Sequence, residues 1–387
     1  MPSDDTPAPK KRPLRIAING THAKSGGGVT YLRNLLPELA EIPDLELHLF
    51  LHADQMELFY PVHEKVRVTL FRFKPTFFRT LIWEQFAIPL NAWGMGTDVV
   101  FSPANYGPIF GRNHVILLRN AVSVIQFTRR IGAIMYWAVL AAATFVSLAT
   151  AKKAIAVSGY AKKLLSFGMP KFLGRKVEVV HHGTRQVDGG KTHTPHPDGC
   201  VLAVSDIYIQ KNYHTLLRAH AVLVKKHPDL KLFIVGREID ADYAFELRRL
   251  TKELNLESHV VFKGHVETEE LDGLYQNCRL FVFPSLVETF GNPLLEAMVV
   301  GAPIACSNEA AMPEVLGDTG MLFDPRDHQD MAAKIEALLS DEKLGKELGA
   351  KAAIRGKLFV WKNTASETAT VLKNAAGRWF EITRPVR

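Results

Sequence analysis

Cysteine is scarce in this chain, with three in 387 residues. Cys200, Cys278 and Cys306 are odd in number and widely spaced, and no zinc-like pairing with histidine is visible. A disulfide scaffold is therefore excluded, and a reducing cytosolic setting is expected. An excess of acid is also lacking: 47 Lys and Arg outweigh 40 Asp and Glu, for a net charge of +7. The imbalance is local, with 23 basic and 13 acidic side chains in residues 1–190 and 24 against 27 in the remainder. Attraction to anions therefore belongs to the first half. With 47% apolar and 22% charged residues, the chain is neither disordered nor fibrous. Residues 131–151 hold no charge, but Gly, Thr, Ser and many Ala dilute them. They read as a buried or interfacial helix rather than a span, although their length could just cross a bilayer. The first 13 residues are polar and Pro-rich without the apolar centre of a signal peptide, and read as a disordered tail.

What is present is a repeated strand–helix rhythm. Residues 14–19 form a short apolar run, Gly26-Gly27-Gly28 a small-residue loop, and Val29, Leu32, Leu35, Leu36 and Leu39 a helical face. Further strands are expected at 45–51, 66–71, 98–101, 115–118 and 154–157, with Ser158 as a helix cap. The second half gives strands at 201–204, 232–235, 260–262, 280–283, 303–305 and 321–323. Helical patterns lie between most of them, at 213–226, 242–254, 269–276 and 293–299. Buried strands alternating with helices imply parallel sheets covered on both faces. The expected division is a tail over 1–13, a Rossmann-like domain over 14–184, a polar linker over 185–199 and a second such domain over 200–360. A C-terminal helix over 361–387 returns to the first domain.

The stretch 283–298 carries the chemistry. It starts at a strand's C-terminal end, where open α/β sheets bind ligands. Asn292 reads as a helix cap and Pro293 as the first helical residue, leaving the amides of Leu294 and Leu295 free for an anion. Gly291 permits close approach, and Glu288 and Glu296 flank the turn. A carboxylate at Glu296 suits ribose hydroxyls; the bland alternative is a solvated Glu288 and a Glu296 serving the helix dipole.

This pattern strongly resembles the Glu-x7-Glu motif of the retaining glycosyltransferases of family 4, which have the GT-B fold. Other segments agree in order: Gly26-Gly27-Gly28, Ala156-Val157-Ser158-Gly159-Tyr160-Ala161, Lys211-Asn212, Val235-Gly236, Phe262 to Val266, Ala311 to Val315 and Phe359-Val360-Trp361. The resemblance implies an α/β protein of two facing, doubly wound domains with a central cleft. It implies a nucleotide-diphosphate-sugar donor, GDP- or UDP-linked, and neither metal nor cofactor. Glu296 would hold the ribose. Lys211 and the backbone around Phe290, Gly291, Asn292, Pro293 and Leu294 would hold the diphosphate, Glu288 would face the sugar, and His265-Val266 would lie near the base. Gly27 and Gly28 would face the phosphates from across the cleft. The chain departs from the pattern twice. Asp206 stands where relatives often have Arg, making Arg237 a substitute candidate. The first-domain stretch that often holds His reads Leu117 to Ala121, making Arg119 and Asn120 candidates, with a structural pair at a strand end as the alternative.

Two other features favour bland readings. Asp240-Ala241-Asp242 has metal-pair spacing but is expected to cap a helix, and His181-His182 reads as a turn or cleft wall rather than metal ligands. Residues 71–83 interleave aromatic and basic side chains, which suits either a membrane interface or a partly buried loop and helix, and nucleic acid less well. The function expected is a retaining, metal-independent hexosyltransferase of surface-polysaccharide synthesis, acting on a glycan or lipid-linked acceptor. It would lie in the cytoplasm, peripheral to the membrane through its basic domain. The alternatives are a nucleotide-sugar epimerase or hydrolase on the same fold, and a non-catalytic membrane-binding module.

Overall fold

A computed structural model describes residues 12–24, 26–73, 77–120, 131–185 and 199–377. Most of the expected tail, nearly all of the linker, Lys74-Pro75-Thr76 and Trp379 lie outside the described residues. The first unit runs β1 (Leu14–Asn19), α1 (Gly27–Ala40), β2 (Leu45–His52), α2 (Met56–Phe59), β3 (Val66–Phe71) and α3 (Phe77–Ile82). A π-helical turn (Trp83–Ala87) leads to α4 (Ile88–Gly94), β4 (Val99–Ser102), β5 (Val115–Leu118), α5 (Ile131–Thr150), β6 (Lys153–Ala156), α6 (Gly159–Leu165) and β7 (Val177–Val179). The second unit runs β8 (Val201–Val204), α7 (Tyr213–Leu223), β9 (Leu232–Val235), α8 (Ala241–Glu253), β10 (Val260–Gly264), α9 (Thr268–Asn277) and β11 (Leu280–Phe283). It continues through α10 (Asn292–Val300), β12 (Ile304–Ser307), α11 (Met312–Leu316), β13 (Met321–Phe323), α12 (His328–Ser340), α13 (Glu342–Gly356) and α14 (Trp361–Ala375).

The strand order is β3-β2-β1-β4-β5-β6-β7 in one sheet and β10-β9-β8-β11-β12-β13 in the other, and every pairing is parallel. Parallel strands are buried on both faces, which is why Ile16, Ala17 and Ile18 are all fully covered. In each sheet the chain builds outward, then returns to the other side of its first strand. The reversal falls between β1 and β4, and again between β8 and β11. At such points neighbouring connections leave on opposite faces and open a crevice beyond the strand ends.

The charge-free stretch is α5, with Ile131, Met135, Tyr136 and Val139 exposed along one side and Leu140, Thr144 and Leu148 buried along another. No helix among the described residues is long and apolar enough to cross a membrane. Helices α12 and α13 had no counterpart in the sequence reading.

The chain ends on the first unit. In α14, the indole of Trp361 lies 5.6 Å from the Tyr31 ring of α1. The Thr364 hydroxyl donates to the His181 carbonyl at 2.9 Å, and Lys373 Nζ reaches Asp44 at 2.8 Å. The helix enters beside Gly183, where an added Cβ would stand 2.3 Å from the Trp361 nitrogen and 2.6 Å from its Cα. Backbone cannot yield as a flexible side chain does. Gly183→Ala is therefore expected to cost about 1–3 kcal/mol of stability, read as a lower melting temperature and faster proteolysis; an unchanged melting temperature would refute this packing.

Candidate functional site

The second domain's crevice is built by two loops that leave β8 and β11. Asn212 turns the first loop with a left-handed backbone, φ 60°, a conformation Asn tolerates better than most residues. Its buried amide donates to the carbonyls of Pro284 at 3.0 Å and Pro325 at 2.7 Å, bolting the β8 loop to the end of β11. The Leu286 amide closes the same junction on the Gln210 carbonyl at 2.9 Å. Lys211 and Glu288, 77 positions apart, consequently meet with Nζ 2.5 Å from Oε1, and the Ser285 hydroxyl donates to the same oxygen at 3.1 Å. Both charged side chains are mostly buried.

Arg237 follows β9 and stands beside this pair. Asp206 accepts from its backbone amide at 3.0 Å and from Nη2 at 2.8 Å. Burial raises the Asp206 carboxyl, but the bonds from Arg237, aided by Lys211, outweigh it and hold it below its ordinary value. The acid in the position of the absent Arg therefore holds another Arg at the same crevice. His265 and Val266 follow β10 and Gly264, whose carbonyl accepts from Gly236 at 2.8 Å, and the His265 side chain is exposed.

The turn into α10 differs from the sequence reading. Gly291, with φ 99°, is the cap, and Asn292 is the first helical residue. The amides expected to be free are not: Leu294 and Leu295 both donate to the Gly291 carbonyl, at 3.1 and 3.3 Å. Only a residue that accepts a left-handed backbone can close the turn this way. Leu294 is fully buried, and Phe290 packs against His182 at 5.2 Å and Phe359 at 5.9 Å, so their side chains line the core and not the crevice. Glu296 is mostly buried, and burial raises its carboxyl despite Arg185 and Tyr275. Arg185 Nε donates to it at 3.2 Å while Nη2 meets Asp272 at 2.5 Å. Burial opposes the Arg185 charge, but the two carboxylates more than restore it.

From the first domain, Arg119 and Asn120 follow β5. Both backbone amides donate to the Asn105 side chain, at 3.0 and 2.9 Å. The guanidinium lies over the Gly-rich loop, and a Cβ on Gly28 would come within 2.6 Å of it. Burial pushes the Arg119 pKa down, its Nε has no hydrogen-bond partner, and no carboxylate among the described residues offsets the charge. A neighbouring imidazole, His182, is driven to about 3, first by burial and then by Arg119, and stays neutral. Arg119 itself is partly buried, and a cation withdrawn from water without a partner is costly unless an anion joins it.

The domains are stitched at this place. The Thr289 hydroxyl donates to the Arg119 carbonyl at 2.6 Å, and the Thr289 carbonyl accepts from Ser158 at 2.6 Å. Glu314 reaches across to the amides of Gly159 and Tyr160 and to His181 Nε2, at 2.9, 3.3 and 2.7 Å. Thr289, Ser158, Asn105, Arg185 and Glu314 had no interdomain or supporting role in the sequence reading, because their partners are up to 170 positions away. Asp240 caps α8 by accepting from Tyr243, as expected. Among the described residues no three His, Cys, Asp or Glu side chains gather as a metal site.

Burial raises the Glu314 carboxyl, but His181 and the two amides outweigh it and hold the pKa below 4.5. With the folded value depressed, the stabilisation is complete above the unfolded value of 4.5 and lost as pH falls through the lower folded value. Glu314→Gln is expected to cost about 1–2 kcal/mol at neutral pH, given the group's partial exposure. Melting curves across pH should show the gap from wild type closing under acid; a gap independent of pH would exclude the carboxylate as the latch.

Residues 186–355 match the family described as Glycosyl transferases group 1. The serotype-specific mannosyltransferase WbdA of Escherichia coli is 32% identical over 194 residues, 50% of this chain and 24% of WbdA. The E. coli O-antigen chain mannosyltransferase B is 33% identical over 179 residues, 45% of this chain and 46% of that protein. The chain thus spans a quarter to under half the length of these curated relatives. Among solved structures, Anabaena HepE with UDP and glucose gives a TM-score of 0.71 at 19% identity, covering 93% of this chain and 100% of that one. WaaG, a glycosyltransferase involved in lipopolysaccharide biosynthesis, gives 0.70 at 14%, covering 92% and 99%. At such identities the likeness is one of fold. The chain has the GT-B fold, two Rossmann-like domains about a cleft, and its second half is similar to the glycosyl transferases group 1.

Proposed function

We propose that this protein is a glycosyltransferase that moves a hexose from a nucleotide-diphosphate sugar to a glycan or lipid-linked acceptor, with retention at the anomeric carbon. The observation that carries the reading is that Lys211 and Arg237 follow the second domain's strands while the loop of Arg119, bonded to Thr289 beside Glu288, holds a partly buried guanidinium that no carboxylate among the described residues offsets. A departing diphosphate is the anion such a site suits, since fixed charges in a water-poor cleft stabilise it without reorganising. The names of the similar proteins, mannosyltransferases and an O-antigen enzyme among them, support a sugar donor and a surface polysaccharide as product.

In this reading the diphosphate lies between Lys211 and Arg119, with Arg237 at its outer edge. Glu288 keeps Lys211 aimed and faces the sugar. Glu296 exchanges part of its bond to Arg185 for the ribose hydroxyls. The acceptor oxygen bonds to the anomeric carbon on the face from which the C–O bond to phosphate breaks. The bonding pair leaves with the diphosphate, whose oxygen takes the acceptor proton. Side-chain cations supply the charge, and we propose no metal for the step.

We place the membrane against the basic first domain. Ile82, Phe86, Leu90 and Trp93 are each more than half exposed and recur along one side of the helical stretch 77–94. Exposed apolar side chains in a half of the chain with a basic excess suit an anionic lipid surface.

A panel of UDP-, GDP-, ADP- and dTDP-sugars tests the donor. One class is expected to raise the melting temperature, by mass action on the folded state. Lys211→Ala should lower turnover about 10²–10³-fold while keeping the fold. Rapid donor conversion without acceptor would instead indicate an epimerase or hydrolase. Failure of every nucleotide sugar to stabilise the protein would refute the reading.

A further inference from the structure

Arg185 stands where the first domain gives way to the linker, and its side chain crosses to the second domain. The backbone that delivers it is held in place: Gly183 packs against Trp361, and the Thr184 amide donates to the Phe359 carbonyl at 2.9 Å. Three polar groups of the second domain meet the guanidinium. Helix α9 carries Asp272 and Tyr275, three positions apart and so on one helix face, and α10 carries Glu296. The Asp272 side chain is 4% exposed, and Tyr275 is fully buried. Nη2 of Arg185 lies 2.5 Å from Asp272 Oδ1, and Nε donates to Glu296 Oε1 at 3.2 Å. One cation thus bridges two carboxylates from different helices. On its other flanks α10 meets Gly349 and Gly356 of α13, while Glu314 of α11 is committed to first-domain amides.

Two carboxylates at close quarters in a water-poor site do not both stay ionised without a cation. Burial raises the Glu296 carboxyl, Arg185 and Tyr275 oppose the rise, and the Asp272 charge adds to it. Burial also holds the Tyr275 hydroxyl well above its ordinary value, so it remains a donor beside Glu296. Without the guanidinium, Glu296 would take up a proton at a higher pH. The consequence is chemical: an ionised carboxylate accepts from two adjacent hydroxyls, whereas the acid gives up acceptor capacity to its own O–H.

We propose that Arg185 is the positioning residue of the ribose site: bridged to Asp272, it holds Glu296 as an oriented carboxylate that accepts from the 2′- and 3′-hydroxyls of the donor. The inference rests on the proposed donor reading and adds to it a residue from the other domain. The bond to Asp272 does not involve Glu296, so Arg185 stays in place when Glu296 turns part of its bonding to the ribose.

The test is calorimetry on the full chain with whichever of GDP or UDP binds, and with its 2′-deoxy and 3′-deoxy analogues, over a range of pH. The ratio of ribose to deoxyribose affinities cancels the titration of the phosphates, which all three ligands share. Wild type at alkaline pH is expected to favour ribose about tenfold over each analogue, the worth of one hydrogen bond to a charged group. The ratio should fall towards one as the carboxylate is protonated, and in Arg185→Gln the fall should begin at a higher pH. Arg185→Lys, which keeps a cation, should return it towards the wild-type position. Arg185→Gln/Asp272→Asn serves if the single variant melts early. Its fall should still lie above that of wild type, since Arg185 bears on Glu296 more than Asp272 does. If the variants follow the wild-type ratio at every pH, or lower it equally at every pH, the inference is wrong while the donor reading stands. A wild type that binds nucleotide with a ratio of one would remove the ribose role of Glu296 and the inference with it. If neither GDP nor UDP binds, the donor reading itself has failed.

Discussion

The cleft depends on one residue, Thr289. Its hydroxyl holds the Arg119 carbonyl and its own carbonyl holds the Ser158 hydroxyl, so two loops of the first domain hang on one peptide of the second. On one side of it is Glu288, already fixed to Lys211; on the other are Phe290 and the Gly291 cap of α10. A shift of Thr289 would therefore move the loop of Arg119 relative to Lys211. Hydrogen bonds between domains are individually modest, about 1 kcal/mol each. Their weight here comes from sharing one short segment, so that they form and break together.

Among the described residues, the charges of the site divide into those paired with an opposite charge and Arg119. Lys211 has Glu288, Arg237 has Asp206, and Arg185 has both Glu296 and Asp272. Each pair offsets the desolvation of its members and fixes their direction. Among the described residues, Arg119 has the Tyr31 hydroxyl and no carboxylate to favour its charge. Packed under neutral imidazole and beside a glycine loop, it is an electrostatic debt that an incoming anion can settle. The Asp206–Arg237 pair shows the same logic at the level of sequence. Asp in place of a cation would weaken an anion site, but this Asp recruits a second-domain Arg to the same edge.

Much of the second domain was legible. Strands 201–204, 232–235 and 280–283 coincide with β8, β9 and β11, since four-residue runs that are largely buried leave little ambiguity, and 321–323 coincides with the shorter β13. Lys211 and Glu288 were each read as site residues on loops after strands, but their ion pair was not. Helix α13 escaped because its buried face is made of glycine. Gly349 and Gly356 let it approach the end of α10 so closely that a Cβ on Gly349 would meet the Gly301 carbonyl at 2.1 Å. A reading by apolar periodicity sees no face there, although the packing is intimate. The cap of α10 was misplaced by one residue for a related reason: Asn before Pro is a good cap by propensity, but the preceding Gly alone takes the left-handed turn. Arg119 was named from its place after a strand, yet its isolation could not be foreseen. It depends on which carboxylates are absent from a neighbourhood assembled from distant segments.

The two sheets give the cleft a symmetry of construction. In each, the chain reverses about its first strand and leaves a crevice between that strand's loop and the loop of the strand on its other side. In the second domain these loops bring Lys211 and Glu288 to 2.5 Å; in the first, the β1 loop brings His22 within 2.6 Å of Glu84, and the β4 loop adds Tyr106. The contents differ as their environments require. Neither constellation has a spacing that sequence alone can read: Asn19, His22, Glu84 and Tyr106 come together only once the first sheet has formed, and Lys211 and Glu288, 77 positions apart, only once the second has.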